Sequence, residues 1–211
     1  MDDFSKDSKQ DVTINVRAIV DDLLDGYFDK EPRSSHWMQK DGIQNCWDAR
    51  KDKNNKKKKW KCIIELHEGK NNLITITDHG TWGLIGRRWT NEELAKEDPG
   101  NDERWTKFEN MAFANKEDPD KEVLGSRGRG KFVFSGCSKV RTTLYDTLRD
   151  DGLYRIGMRM VEKVNAPTWV AEHPPYKPGE PDAYDVLSKH TDGILKPLDH
   201  IGTRIIILDP K

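Results

Sequence analysis

The chain has 211 residues, and 36 Lys plus Arg against 37 Asp plus Glu give a formal net charge of −1. Only 34% of the residues are hydrophobic and 35% are charged, which places the composition at the polar end of globular proteins and allows one modest core. No stretch approaches the roughly 18 apolar residues that a membrane helix needs, and the first residues lack the apolar run of a signal peptide. We therefore expect a cytoplasmic protein without a membrane partner.

The cysteines and histidines show no metal-binding pattern. Cys46, Cys62 and Cys137 lie far apart without a CxxC pair, which favours buried, reduced thiols. The six histidines are scattered, and none has the spacing of zinc ligands on a helix. We expect no metal ion that is held by protein side chains alone.

The N-terminal part predicts two helices. Residues 1–14 are polar and are expected to form a disordered tail before a single domain over residues 15–211. Apolar side chains recur at i, i+3, i+4 and i+7 in residues 15–29, as in an amphipathic helix. A second helix is predicted from Ser34 or Ser35, either of which can cap it, to about Arg50.

The next segments predict a loop, two strands and two further short elements. Residues 50–59 include four consecutive lysines and favour an exposed loop over a nucleic-acid contact. Residues 60–68 and 73–77 are predicted to be adjacent strands joined by a turn. Thr90 and Glu93 form a capping-box pattern, and a helix is expected at about residues 102–115.

The C-terminal half is predicted to be mainly β-structure. Residues 140–147 and 153–164 form a hairpin pattern, in which alternating cations indicate one solvent-exposed face. Five prolines between residues 167 and 181 indicate a long loop. Residues 201–208 are predicted to be a last, mostly buried strand.

Three polar residues of the second predicted helix share one face. Asp41, Asn45 and Asp48 lie at i, i+4 and i+7. Two carboxylates and an amide on one face are compatible with a site for a metal ion and water. The spacing alone favours an ordinary solvated helix face.

An aspartate and two glycines follow the second predicted strand. The segment reads Asp78-x-Gly80-x-x-Gly83. A carboxylate at a strand end can accept a hydrogen bond from an exocyclic amine, and glycines let a planar ring approach the backbone. A plain turn explains the same residues equally well.

A glycine-rich, cationic segment spans residues 125–131. Its amides, together with the following helix N-terminus and its cations, favour a polyphosphate ligand over a flexible turn. It is not a P-loop, because Phe132 stands where a Ser or Thr should bind Mg²⁺. It is not a dinucleotide fingerprint either, because Val133 stands where Gly or Ala is required.

Taken in chain order, these segments resemble the sequence boxes of the GHKL superfamily, the ATP-binding fold shared by gyrase B subunits, MutL, the large heat-shock chaperone, MORC-type proteins and histidine kinases. Residues 41–49 resemble the first box, acidic-x-x-x-Asn-x-x-Asp-Ala, and residues 78–83 resemble the second, Asp-x-Gly-x-Gly. Residues 125–131 resemble the glycine-rich lid, and Gly202 with Thr203 resemble the fourth box. The resemblance spans about residues 15–209.

The resemblance implies a two-layer α/β sandwich of the Bergerat type, with a mixed, mainly antiparallel sheet, helices on one face, and a variable region and ATP lid in residues 79–130. It implies Mg²⁺-dependent ATP binding and slow hydrolysis, with nucleotide-driven lid closure and homodimerisation. The chain would be the N-terminal part of a longer protein, whose further domains or protein partners would use the nucleotide cycle.

The resemblance also implies individual roles. Asn45 would hold Mg²⁺, and Asp41 would stand where hydrolysing members carry a Glu that activates water. Asp78 would bind the adenine amine, supported through water by Thr203. The remaining nucleotide contacts would come from Asp48, Gly80, Gly83, Gly125, Arg127, Gly128, Gly130 and Lys131.

Two departures from the family pattern matter. Asp41 is one methylene shorter than Glu, which bears on hydrolysis more than on binding. The second box has one extra residue, so either Trp82 bulges outward or Gly83 is not the equivalent glycine. Trp82 itself could stack on a base or lie in the core, and the core is the favoured interpretation.

Two other functions fit parts of the pattern. A histidine-kinase-type catalytic domain is the enzymatic alternative, although the Asp48-Ala49 ending of the first box argues against it. A non-hydrolysing nucleic-acid-binding or scaffolding module of the same fold is the other, and it would use the lysines at 56–59 with Arg127 and Arg129.

Overall fold

A computed structural model describes residues 18, 21, 22, 25, 34–51, 60–100, 102–109, 130–161 and 168–211. The predicted tail at residues 1–14, most of the predicted helix at 15–29, and the lid positions Gly125, Arg127 and Gly128 lie outside the described residues, as do the lysines at 56–59.

Six strands of the described chain form one sheet in the order β1-β2-β6-β3-β4-β5, and every neighbouring pair is antiparallel. The strands are β1 (Lys61–His67), β2 (Leu73–His79), β3 (Thr142–Leu148), β4 (Tyr154–Met160), β5 (Thr168–His173) and β6 (Gly202–Leu208). The helices are α1 (Ser34–Asp48), α2 (Asn91–Leu94), α3 (Arg104–Glu109), α4 (Val133–Gly136), which follows a 3₁₀ turn at Gly130–Phe132, and α5 (Ala183–His190). This confirms the predicted α/β class with a mainly antiparallel sheet.

Each face of the sheet carries an apolar cluster, because successive side chains of a strand point to opposite faces. Tyr145 lies on the face covered by α1 and α4, where Met38 and Phe134 are buried. Its neighbour Leu144 lies on the other face, against Leu187 of α5. The predicted layer of helices is therefore the α1 and α4 side, and α5 adds a short helix on the second face that the sequence analysis did not anticipate.

Most predicted elements are confirmed: α1, the β1–β2 pair, the β3–β4 hairpin and β6 all form close to the expected bounds. The capping box is also present, since the Glu93 amide donates to Thr90 Oγ1 at 3.2 Å and the Thr90 amide donates to Glu93 Oε2 at 2.7 Å. The helix expected at 102–115 is described only as α3, over Arg104–Glu109.

The prediction of a solvent-exposed face on the β3–β4 hairpin is wrong. Arg155 and Arg159 are 4% and 2% exposed, because the segment between β2 and the lid covers them. Arg159 donates to the carbonyl of Phe108, and Arg155 donates to the carbonyl of Gly86 at 3.1 Å. The arginines thus satisfy backbone acceptors of the covering segment instead of contacting water.

The long loop predicted over residues 167–181 is also partly wrong. Strand β5 forms there and pairs with β4 at one edge of the sheet. Four of the five prolines that indicated a loop, at 174, 175, 178 and 181, follow this strand. Proline cannot donate a ladder hydrogen bond, so the strand ends where the prolines begin.

Candidate functional site

Helix α1 lies against strand β2 with the Asp41 side chain directed inward. A Cβ added at Gly42 would lie 2.9 Å from Ile76 Cδ1, so the helix backbone closely approaches the sheet. Asp41 is only 8% exposed, whereas Ile43 and Trp47 are 46% and 39% exposed. The solvated-face interpretation that the spacing alone favours is therefore wrong for Asp41, and Asn45 and Asp48 are half-buried.

Gly130, the last glycine of the predicted lid, lies against the Asp41 carboxylate. A Cβ added at Gly130 would lie 2.8 Å from Asp41 Oδ2. Any side chain at residue 130 would therefore displace the carboxylate or the turn. The structure thus brings the first and third sequence boxes together at this point.

Asp78 lies at the end of β2 and is buried, with 4% exposure. Its Oδ1 accepts hydrogen bonds from Thr81 Oγ1 at 2.6 Å and from the Thr203 amide at 2.8 Å. Burial raises the pKa of Asp78 to about 6, and the hydrogen bonds from Thr81 and Thr203 oppose this increase. The pairing of β2 with β6 thus brings the second and fourth boxes into direct contact.

Glycines allow the backbone to approach Asp78 closely. A Cβ added at Gly202 would lie 2.8 Å from Asp78 Oδ1. Gly83 has a φ of +67° and is buried, and a Cβ there would lie 2.7 Å from Thr147 Oγ1. Gly80 also has a positive φ, of 73°, and is exposed. Side chains at Gly83 and Gly202 would therefore disturb the surroundings of the carboxylate.

Trp82 is 37% exposed, so the favoured placement of this residue in the core is wrong. Its ring lies 5.0 Å from Lys51 Nζ, measured to the ring centroid. Because Gly83 remains buried while Trp82 is exposed, the extra residue of the second box is accommodated by an outward Trp82. That arrangement matches the first of the two alternatives.

Lys131 is buried, and its ammonium group donates to the carbonyl of Lys107 at 2.7 Å. In this structure the lysine therefore links the end of the lid to α3.

Three residues around Asp78 are not among the predicted site residues. Thr81 could have been found, because a hydroxyl three residues after an aspartate often closes a turn. No sequence pattern near Thr147 or His200 indicates that either residue lies close to Asp78. Thr147 Oγ1 donates to the Gly202 carbonyl at 2.8 Å, and His200 Nε2 lies 3.1 Å from the Asp78 carbonyl oxygen. Both reach the site from distant parts of the chain.

Within the described ranges, no group of three or more His, Cys, Asp or Glu is arranged to hold a metal ion. The helices in those ranges are also too short or too polar to span a bilayer.

No protein-family model matches the chain, and a search of the curated proteins gave no match. Two solved structures of the ATPase region of Saccharomyces cerevisiae topoisomerase II, one of them bound to ICRF-187 (dexrazoxane), are similar to it. Each has a TM-score of 0.45 and 9% sequence identity, over 82% of this chain and 37% of that chain. At this TM-score the likeness by itself assigns no function, and the chain matches well under half of the topoisomerase chains.

Proposed function

We propose that the chain binds ATP with Mg²⁺ between α1 and the end of β2, with Asp78 as the acceptor of the adenine amine. The observation that carries this proposal is a buried carboxylate whose donors in the described chain, Thr81 and Thr203, are both neutral. An exocyclic amine donating to this carboxylate would stabilise its ionised form. Gly80, two residues after Asp78, is exposed and carries no side chain, which would let a planar ring approach its backbone.

The residues of α1 have the ligand chemistry that Mg²⁺ prefers. Asn45 and Asp48 present an amide and a carboxylate oxygen on a half-buried face, and Mg²⁺ usually takes one or two protein oxygens together with substrate phosphates. In this proposal Asn45 holds the ion and Asp48 supports the same face. Bound Mg²⁺ neutralises charge that develops on the phosphates during phosphoryl transfer.

Slow hydrolysis would depend on Asp41. Its buried carboxylate lies beside the backbone of Gly130, and in this proposal it would orient a water molecule and accept its proton. In the proposed cycle the lid residues Gly125, Arg127, Gly128 and Gly130 close over the phosphates, and Lys131 exchanges the Lys107 carbonyl for a phosphate oxygen. Lid closure would in turn promote homodimerisation.

A thermal-shift experiment tests nucleotide binding. A ligand that binds only the native state stabilises it by about 2.7 kcal/mol at a concentration of 100 times its Kd. ATP with Mg²⁺ is therefore expected to raise the melting temperature. It should do so more than GTP, because the proposed contact with Asp78 uses the adenine amine. Asp78→Asn should abolish the ATP shift, whereas Asp150→Asn, at an exposed turn, should retain it. A full ATP shift in Asp78→Asn, or no ATP shift in the wild-type chain, would contradict the proposal.

The role of Asp41 requires a separate measurement. Asp41→Ala is expected to keep the ATP-induced thermal shift and to lose phosphate release, because the substitution removes the group that activates water. Asp41→Glu, which restores the longer side chain of hydrolysing GHKL proteins, should retain turnover. Normal phosphate release by Asp41→Ala would exclude Asp41 as the base.

A further inference from the structure

Strand β1 forms one edge of the sheet. Among the described strands it pairs with β2 alone, through seven consecutive residues without a bulge. At the opposite edge β5 is partly covered, because Glu172 forms a parallel bridge with Asp182. An open edge can pair with a strand of another molecule, and proteins commonly protect such edges with prolines, bulges or very short strands. Strand β1 has none of these features.

Strand β1 also exposes apolar side chains at this edge. Leu66 is 60% exposed and Ile64 is 36% exposed. Ile64 lies opposite Ile76, which belongs to the apolar cluster on the α1 face of the sheet. Leu66, two residues further along the strand, therefore points to the same face. A long edge strand with exposed apolar side chains is a site where another strand can add to the sheet.

An aromatic pair lies at the other end of the same edge. Trp60, just before β1, donates its indole N–H to the carbonyl of Cys46 at 2.9 Å, which fixes the ring beside α1. The exposed Trp47 packs edge-on against this ring, with the two centroids 5.4 Å apart. The edge therefore has an aromatic pair where β1 begins and the exposed Leu66 near its end. These two ends meet when the strand pairs antiparallel with a second copy of itself.

The charges of β1 select one register for such a pairing. Opposed residues of an antiparallel pair share a face, so a two-fold axis can pair only residues an even number apart. Centred on Ile63, the pairing sets the exposed Lys61 opposite Glu65 of the second copy, and the exposed Glu65 opposite Lys61 of that copy. Centred one residue earlier, Lys61 would face Ile63, and centred one residue later it would face His67. Only the first register pairs Lys61 with Glu65, and symmetry forms this pair twice.

We propose that β1 pairs antiparallel with β1 of a second copy of this chain, centred on Ile63, so that one sheet continues across both copies. In this register Leu66 lies opposite Trp60 of the second copy, and Trp60 lies opposite the Leu66 of that copy. The apolar contacts form on the α1 face, and the Lys61–Glu65 pairs form on the other face. The surface is self-complementary, as a two-fold interface requires. The contact needs no nucleotide, so it is separate from the lid-driven homodimerisation proposed above.

Sedimentation equilibrium of the full chain without nucleotide tests the association. The wild-type chain is expected to reach twice the chain mass as its concentration rises. Lys61→Glu and Glu65→Lys should each raise the dimer dissociation constant about tenfold, because each substitution changes two attractive cross-strand pairs into two repulsive ones. A wild-type chain that stays monomeric, or a dimer that neither substitution weakens, would overturn the proposal.

A mixture of these two variants separates a direct contact from a folding defect. Equal amounts of Lys61→Glu and Glu65→Lys should form a heterodimer about as tightly as the wild type dimerises, because each substituted side chain then faces an opposite charge. Circular dichroism checks that both variants are folded. Two folded variants that do not associate with each other would exclude the register centred on Ile63, and with it the proposal.

The apolar part of the contact is tested at Leu66. Leu66→Lys should abolish the dimer, whereas Val140→Lys, which changes an exposed apolar residue outside β1, should leave it unchanged. A dimer that forms only with Mg²⁺-ATP and tolerates Leu66→Lys would be the lid-driven one, and it would overturn the β1 contact. If the chain does not bind ATP, the proposed function fails, and the β1 contact is still judged by sedimentation without nucleotide.

Discussion

Two buried aspartates of one sheet have different partners. Asp146 on β3 is fully buried, and Arg204 of β6 donates to it from Nε at 3.1 Å and from Nη2 at 2.5 Å, while the Tyr154 hydroxyl donates at 2.5 Å. Asp78 at the end of β2 is almost as buried, but the donors that the structure places on it, in the described part of the chain, are a hydroxyl and an amide.

The difference separates a structural carboxylate from a candidate binding group. Burial alone would lower the pKa of Arg204, but the Asp146 carboxylate raises it above its usual value, so the two charges compensate each other. For Asp78 the burial effect exceeds that of its hydrogen bonds, and its pKa rises to about 6. A buried carboxylate whose charge is only partly compensated by protein hydrogen-bond donors is a candidate acceptor for a hydrogen bond from a ligand.

The largest expected effect is at Asp146. Asp146→Asn should lower the free energy of unfolding by about 3–5 kcal/mol, because it leaves the buried Arg204 guanidinium without its counter-charge. Urea denaturation followed by circular dichroism measures this loss. An unchanged midpoint would mean that the ion pair is not a structural element of the sheet.

The same substitution at Asp78 should raise, not lower, the free energy of unfolding at neutral pH. Its folded-state pKa of about 6 exceeds the ordinary value of 3.8, so the folded chain binds more protons between these values and loses stability as pH rises through about 6. Asp78→Asn removes this loss. The variant should match the wild type near pH 4 and be more stable by about 1–3 kcal/mol at pH 8.

Urea denaturation across this pH range measures the difference, and Asp150→Asn at the exposed hairpin turn is the control for a simple change of net charge. If Asp78→Asn were less stable than the wild type at every pH, the carboxylate would be a structural residue like Asp146.

The sequence predicted Asp78 but not the contrast with Asp146. Asp78 was found because it ends a β-branched strand and precedes two glycines, all within six residues. The partners of Asp146 come from β4 and β6, and Arg204 lies 58 residues away in the chain. Only the β3–β6 register brings that pair together, and no local pattern contains this information.

The wrong predictions have a related cause. The alternation of apolar and cationic residues correctly places Arg155 and Arg159 on one face of β4. This alternation cannot reveal that another segment of the chain covers that face. Arg155 forms an ion pair with Glu172 at 2.6 Å and also donates to the Gly86 carbonyl. Arg159 donates to the Phe108 carbonyl and lies over the ring of Phe132, 5.1 Å from its centroid. Local periodicity therefore predicted strands and helices well, but burial of their polar faces required the tertiary structure.

The smallest effect concerns the neutral donors of Asp78. Thr81 is fully buried, and its hydroxyl donates to Asp78 Oδ1 at 2.6 Å. Thr81→Val keeps the β-branched shape and removes this donor, so it should cost about 1–2 kcal/mol at pH 8, where Asp78 is ionised. Because the hydroxyl stabilises the ionised carboxylate, its removal should also shift the pKa of Asp78 above about 6.

Carbon-13 NMR titration of the Asp78 carboxyl group measures that shift, and Tyr154→Phe, which removes a hydroxyl donor from Asp146, is the matched variant. Tyr154→Phe should leave the Asp78 titration unchanged, since it acts on the other face of the sheet. An unshifted Asp78 midpoint in Thr81→Val would mean that the Thr81 hydroxyl does not stabilise the ionised carboxylate and serves only to close the turn.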